Sequence, residues 1–285
     1  AGYHTRGYTF SRLLLPPTGW DSLRIVPEDE EPDILASHTA ELETVFAQSR
    51  PCFCYLHYGE IHHRVVKNVL RKYDPWAPEY FENPEQNLLQ YREYAYAAGE
   101  YLAALMKTLN RLDPDQQSLL IIMSDHGGGV GEKPGEKAYG VFTYDYSIKT
   151  WLYLVCPPLL PSGLEFDVQV RTVDLLPTVV DLLSLRRPRS RKPMNGRSLL
   201  PIIRGEDRED RIAFTETGGI EGPHPSPDRA NIKAVRDGRW KLIFNETTNG
   251  FELYDLVDDP DETRNVYASH PEKARELWTT MAEYL

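Results

Sequence analysis

The chain has 285 residues, 41% of them hydrophobic and 26% charged, which suits an ordinary globular protein able to bury a core without disulfides. Its 43 acidic against 32 basic residues give a formal charge of −11, which argues against the basic face of a general nucleic-acid binder but leaves room for a small anion met by a few local cations. No stretch reaches the ~18 consecutive apolar residues of a membrane helix, and Arg6 and Arg12 interrupt any signal-like run near the start.

In chain order, the first β-rich apolar run is 52–58, followed by a polar loop with His57, His62 and His63. Cys52 and Cys54 would share one face of that strand. With Cys156 they make an odd set of three, which reads as small core thiols, with metal or redox chemistry as the alternative. Residues 74–87, with Pro75, Pro78 and Pro84, read as an irregular excursion. From Asn87 the apolar period becomes helical through Tyr94, Ala98, Tyr101, Leu105, Leu109 and Leu112, and Asp113-Pro114 ends it.

The continuous apolar run 119–123 predicts a strand covered on both faces, as in a parallel sheet flanked by helices, and 151–156 predicts a second. Asp174 is placed to cap a helix running to about Leu183. After the basic stretch 186–193 the pattern changes to short strands at 212–215, 231–236, 239–244 and 251–255, with a hairpin turn at Asp237-Gly238 and a closing helix over 271–285. We therefore expect an α/β domain over 1–208 and a small antiparallel α+β subdomain over 209–285.

Chemistry concentrates at Ser124-Asp125-His126-Gly127-Gly128-Gly129, directly after the run 119–123. Side chains at the carboxyl ends of strands face the ligand crevice of open α/β sheets. A carboxylate beside an imidazole offers a hard oxygen and a nitrogen to a divalent cation. The plainer reading makes Asp125 a cap and His126 a loop histidine.

Ser124-Asp125-His126-Gly127 with Gly131-Glu132-Lys133, Tyr139-Gly140 and Tyr144-Asp145 resembles the second metal-binding segment of the sulfatases, in the alkaline-phosphatase-like superfamily. Three further segments resemble that family in order: Val173-Asp174-Leu175-Leu176-Pro177-Thr178, then Asn195-Gly196-Arg197-Ser198-Leu199, then the tail from Ala234 to Asn265. The resemblance implies an alkaline-phosphatase-like, mainly parallel sheet flanked by helices, incomplete at its amino-terminal side. Asp125 and His126 become two of four protein ligands of a divalent metal, calcium first, with manganese, magnesium and zinc as alternatives.

Leu56-His57-Tyr58-Gly59-Glu60-Ile61-His62 resembles the family's strand-end segment Leu-His-x-x-Asp-Pro-His, which makes His62 the histidine that meets the sulfuryl oxygens or the leaving group. Glu60-Ile61 in place of Asp-Pro, and Lys149-Thr150-Trp151 in place of Arg-x-Pro, mark a divergent member. Lys137 takes the place of the substrate-binding cation, with Lys133 further back and Tyr139 at the directly aligned position. His57 and His63 read as structural or solvated.

The sequence holds no Cys/Ser/Thr-x-Pro-x-Arg nucleophile segment and no early Asp-Asp pair, and residues 1–8 resemble the family segment that follows the nucleophile helix. The resemblance therefore implies a carboxyl-terminal part of a metal-dependent sulfuric ester hydrolase, inactive by itself, whose full form attacks sulfur through a covalent intermediate. A small-molecule or carbohydrate sulfate ester is the expected substrate. Two other readings stand beside it: a phosphodiesterase or phosphonate monoester hydrolase of the same superfamily, and a non-catalytic binding protein of the same fold. Loops 64–90 and 216–230 are candidate specificity loops.

Overall fold

A computed structural model of the chain describes residues 2–27, 30, 33–73, 77–136, 138–186, 193–218 and 229–285. They form two compact units, Ala1–Leu120 with Cys156–Pro158, and Ile121–Val155 with Leu159–Leu285.

The first unit is built on a parallel sheet of β1 (His4–Thr9), β2 (Ser22–Ile25) and β3 (Cys52–Leu56), with β1 in the middle. The sequence pattern assigns no element before residue 52, because β1 reads His-Thr-Arg-Gly-Tyr-Thr and its burial comes from distant partners. Arg6 donates Nε to Glu41 at 2.8 Å across to α1 (Ile34–Phe46). Gly7 leaves room for Leu23, whose Cδ1 would stand 2.8 Å from an added Cβ. Helix α1 starts on Asp33, whose carboxylate accepts the Ala36 N–H at 2.9 Å. It buries His38, Glu41 and Leu42 on one face.

Of the expected histidine loop, His57 stays in the connection after β3, whereas His62 and His63 stand on a helix. After β3 the chain enters α2 (Glu60–Arg64), then a π turn (Val65–Val69) and a 3-10 turn (Leu70–Lys72). Val65 and Val69 are buried, so their packing imposes a helical course on a segment whose polar composition alone suggested a loop. The expected excursion 74–87 holds α3 (Pro78–Glu82) and the start of the long α4 (Pro84–Leu112), and residues 74–76 lie outside the described set. Pro78 and Pro84 each stand at the first helical position, where a missing N–H costs nothing. Asp113 ends α4 by accepting the Gln117 and Ser118 N–H groups at 2.9 Å each.

The cysteines are core thiols. Cys52 and Cys54 are partly buried and Cys156 fully so, and none of the three is in a disulfide. Burial, reinforced by Glu41, pushes the Cys54 thiol up to about 12, so it is no ready thiolate ligand.

The second unit holds β4 (Leu120–Met123) paired with β5 (Leu152–Val155), and between them the one-turn helix α5 (Asp145–Ile148). The expectation that these strands are covered on both faces is not met. Tyr153 is 63% exposed, and Met123, Trp151 and Val155 are exposed with it. Apolar composition marks a strand, but coverage depends on neighbouring elements, which leave this face partly exposed.

Beyond a 3-10 turn (Thr172–Asp174) lie α6 (Leu175–Leu182) and α7 (Leu200–Ile203). The Asp174 carboxylate does not cap α6. It accepts Arg171 Nη2 at 2.9 Å and the Arg197 N–H at 2.8 Å, and pairs with buried Arg211 at 3.1 Å. These charged partners outcompete the helix N–H groups. Gly196 is required here, since an added Cβ would meet the Val173 carbonyl oxygen at 1.9 Å.

The unit closes with an antiparallel sheet of β6 (Ala213–Thr217), β7 (Ile232–Arg236), β8 (Trp240–Asn245) and β9 (Gly250–Asp255), then α8 (Pro271–Tyr284). The expected β7–β8 hairpin turns at Asp237-Gly238, where Gly238 has φ +96°. Alternation sorts the strands into two faces. Val235, Leu242 and Leu253 pack on Ala274, Leu277 and Met281 of α8. Ala234, Ile243 and Tyr254 pack on Tyr144.

Candidate functional site

The Ser124–Gly129 loop leaves the end of β4 and is pinned at three points. Ser124 and Trp151 exchange two bonds, each 3.3 Å: the Ser124 N–H donates to the Trp151 carbonyl, and the Trp151 N–H to Ser124 Oγ. The Gly127 N–H donates to the Ser147 carbonyl at 2.8 Å, and the Gly129 N–H to that of Ala138 at 2.5 Å. Two of the glycines are sterically required. A Cβ on Gly127 would lie 2.1 Å from the Tyr146 carbonyl oxygen, and one on Gly129 would lie 2.8 Å from the Tyr146 ring.

This pinning presents Asp125 and His126 side by side. Their side chains are 67% and 42% exposed, and His126 Nε2 lies 3.7 Å from Asp125 Oδ2. His126 Nδ1 lies 2.7 Å from the Gly127 carbonyl oxygen. A carbonyl only accepts, so Nδ1 carries a proton, and Nε2 is the ring nitrogen that faces the carboxylate. Metal-binding histidines are commonly oriented by this kind of bond from the other ring nitrogen. The plainer reading of Asp125 as a cap finds only its bond from the His126 N–H at 2.8 Å. Oxygen and imidazole donors fit a divalent cation chemically. Among the described residues no three His, Cys, Asp or Glu side chains gather into a metal site.

The lysines fall differently. Lys137 lies outside the described residues. Lys133 donates to the Glu262 carbonyl and sits over the rings of Tyr144 and Tyr254, 4.7 and 5.5 Å from their centroids, so its charge serves packing. Tyr139, aligned with the family's cation, instead stacks on His126 with centroids 4.7 Å apart, a role that residue type alone did not signal. Under the loop, the Tyr146 hydroxyl donates to buried Glu136 at 3.0 Å, and burial with that carboxylate keeps the phenol firmly protonated.

In the first unit, His57 and His62 follow β3. His57 Nδ1 lies 3.4 Å from Thr9 Oγ1 and its ring packs on Phe10, the structural placement expected for it. Tyr58 stacks on Tyr101 with centroids 4.2 Å apart, and Gly59 opens α2. His62 is exposed on that helix, between Glu60 and Arg64, which pair at 3.1 Å.

Comparison with known proteins now assigns the class. The family model described as "Sulfatase" matches residues 33–185, and "N-sulphoglucosamine sulphohydrolase, C-terminal" matches 139–285. The chain belongs to the sulfatase family of the alkaline-phosphatase-like superfamily. It is 26% identical over 202 residues to arylsulfatase K of Xenopus laevis, covering 68% of this chain and 37% of that protein. The chain thus spans little more than a third of the curated relatives' length. Among solved structures, a 2-O GAG sulfatase superposes with TM-score 0.76 at 17% identity, covering 99% of this chain and 71% of that one. The phosphonate monoester hydrolase of Agrobacterium radiobacter does so with TM-score 0.69 at 17% identity, covering 99% and 78%. These two likenesses establish the fold.

Proposed function

We propose that the chain serves a metal-dependent sulfuric ester hydrolase, with Asp125 and His126 holding a divalent cation, calcium before manganese, magnesium or zinc. The observation that carries this is the His126 Nδ1–Gly127 carbonyl bond of 2.7 Å, which orients the ring with Nε2 facing an exposed carboxylate. The cation would supply Lewis-acid polarisation of the ester and charge neutralisation. His62, exposed just beyond a strand end, would donate to a sulfuryl oxygen or protonate the departing alkoxide, and Lys137 would bind the sulfate. No residue of this sequence is assigned as the nucleophile, and we read the chain as the part of such an enzyme that carries two of its ligands. A sulfated carbohydrate is the favoured substrate, in keeping with the likeness to a 2-O GAG sulfatase.

The likeness to a phosphonate monoester hydrolase supports a second reading, the same site acting on phosphorus. The test is in two parts. Titration with manganese should broaden the His126 imidazole resonances, and Asp125→Asn or His126→Ala should abolish this; uptake that neither substitution weakens sinks the assignment. The longer protein that we read this chain as part of, offered an aryl sulfate and an aryl phosphonate at equal concentration, should then give faster release from the sulfate. Faster release from the phosphonate favours the second reading, and cation uptake without turnover of either by that longer protein favours a binding role.

A further inference from the structure

Helix α5 forms the floor of the Asp125–His126 loop, yet it is only four residues long, Asp145–Ile148. A single turn has no stability of its own, since helices below ~12 residues are marginal in water even with good sequences. Its position must be imposed from outside, and its ion-pair ties are on its first residue. Asp145 Oδ2 accepts Arg236 Nη1 at 2.6 Å from β7, and Asp145 Oδ1 accepts Lys241 Nζ at 2.8 Å from β8. The Asp145 N–H donates to Glu262 Oε2 at 2.5 Å, and Glu262 Oε1 also pairs with Lys241 at 2.8 Å. Lys241 and Glu262 are fully buried, so no water can replace these partners.

From the far end of the turn, the Ser147 carbonyl accepts the Gly127 N–H at 2.8 Å, one residue from His126. Tyr146, between them, meets the loop where Gly127 and Gly129 lack side chains. The path therefore runs from the antiparallel sheet through Asp145 and Ser147 to the backbone that orients His126.

We propose that Arg236, Lys241 and Glu262 act as positioning residues: through Asp145 they fix α5, and α5 sets the geometry of the Asp125–His126 pair. The antiparallel sheet then does more than complete the fold, because it holds the loop that carries the cation donors. The inference rests on the reading of that pair as a cation site, and its test separates the two.

Amide hydrogen exchange would be followed by NMR on the whole 285-residue chain, comparing wild type with Asp145→Asn. Gly127 exchange should accelerate at least about tenfold while Leu242 and Leu253 in the sheet stay protected. Asp145→Glu, which keeps the charge, should restore part of the protection. Should Asp145→Asn fail to fold, Arg236→Gln removes one tie at a partly exposed residue and should show the same local effect. Unchanged Gly127 exchange, or acceleration shared equally with Leu242 and Leu253, overturns the proposal. Manganese affinity, measured in parallel, should fall several-fold in Asp145→Asn; an unchanged affinity beside faster exchange also overturns it. If wild type takes up no manganese, the reading of Asp125 and His126 fails, and the exchange comparison still decides whether the clamp exists.

Discussion

Lys241 Nζ lies 2.8 Å from Asp145 Oδ1, across 96 residues of sequence, with none of the lysine side chain exposed. A buried ammonium persists only with excellent pairing, and here Glu262 supplies a second carboxylate. Lys241→Met keeps the apolar stem but strips buried Glu262 of its counter-charge and leaves Asp145 with Arg236 alone. We expect a loss of about 3–5 kcal/mol, the scale for removing one partner of a buried pair. Urea unfolding at neutral pH measures it; a loss below about 1 kcal/mol would mean that water already screens the cluster.

The two loop glycines should differ in cost. An alanine Cβ at Gly127 meets the backbone oxygen of Tyr146 at 2.1 Å, which cannot rotate away, whereas at Gly129 it meets the Tyr146 ring at 2.8 Å. Gly127→Ala should destabilise by about 2–3 kcal/mol, near the top of the range for overpacking, and Gly129→Ala by less. Thermal unfolding of the two variants checks the order, and an equal or reversed order would contradict the steric account.

His38 is fully buried in the first unit, with Nδ1 2.5 Å from the Tyr101 hydroxyl and its ring edge-on to Tyr8. Burial, with the charges of His57 and Arg24, lowers its pKa from 6.5 to about 4. The unfolded chain therefore takes up a proton below about pH 6.5 that the folded chain refuses until about pH 4. Stability should fall across that window as pH drops, by roughly 3 kcal/mol in all. His38→Gln removes this contribution and should flatten the pH dependence of the urea midpoint between pH 6.5 and 4. An unaltered slope would show that other groups carry the acid sensitivity.

Asp174 is held charged where His38 is held neutral, and it too loses its contribution in acid. Burial raises its pKa, but bonds from Arg171, the Arg197 N–H and Arg211 outweigh this and hold it below the ordinary 3.8. Its contribution is present above about pH 4 and is lost as pH falls through the folded-state value. Asp174→Asn should cost about 3 kcal/mol at pH 7, and the gap to wild type should narrow below pH 4. A gap of constant size would point to shape rather than charge.

Much of this architecture is local enough to read directly. The helical stripe from Tyr94 to Leu112, the apolar run before Ser124, the Asp237-Gly238 hairpin and the closing helix depend on residues at most a few positions apart, and they stand where the sequence puts them. The Ser124-Asp125-His126-Gly127 segment was legible as a candidate site for the same reason, since strand, tight turn and donors are contiguous.

What the tertiary structure decided is everything that depends on remote partners. Strand β1, polar in sequence, is central because Glu41 and Leu23 come to meet it. The apolar strand β5 carries an exposed Tyr153, because composition cannot say what covers a face. Lys241 reads as one more surface lysine in Arg-Trp-Lys-Leu, and only folding places Asp145 and Glu262 around it. Sequence determined which elements form and which donors stand beside each other; folding determined which charges are buried and what holds the donors in place, because burial and ion pairing follow distance in space, not along the chain.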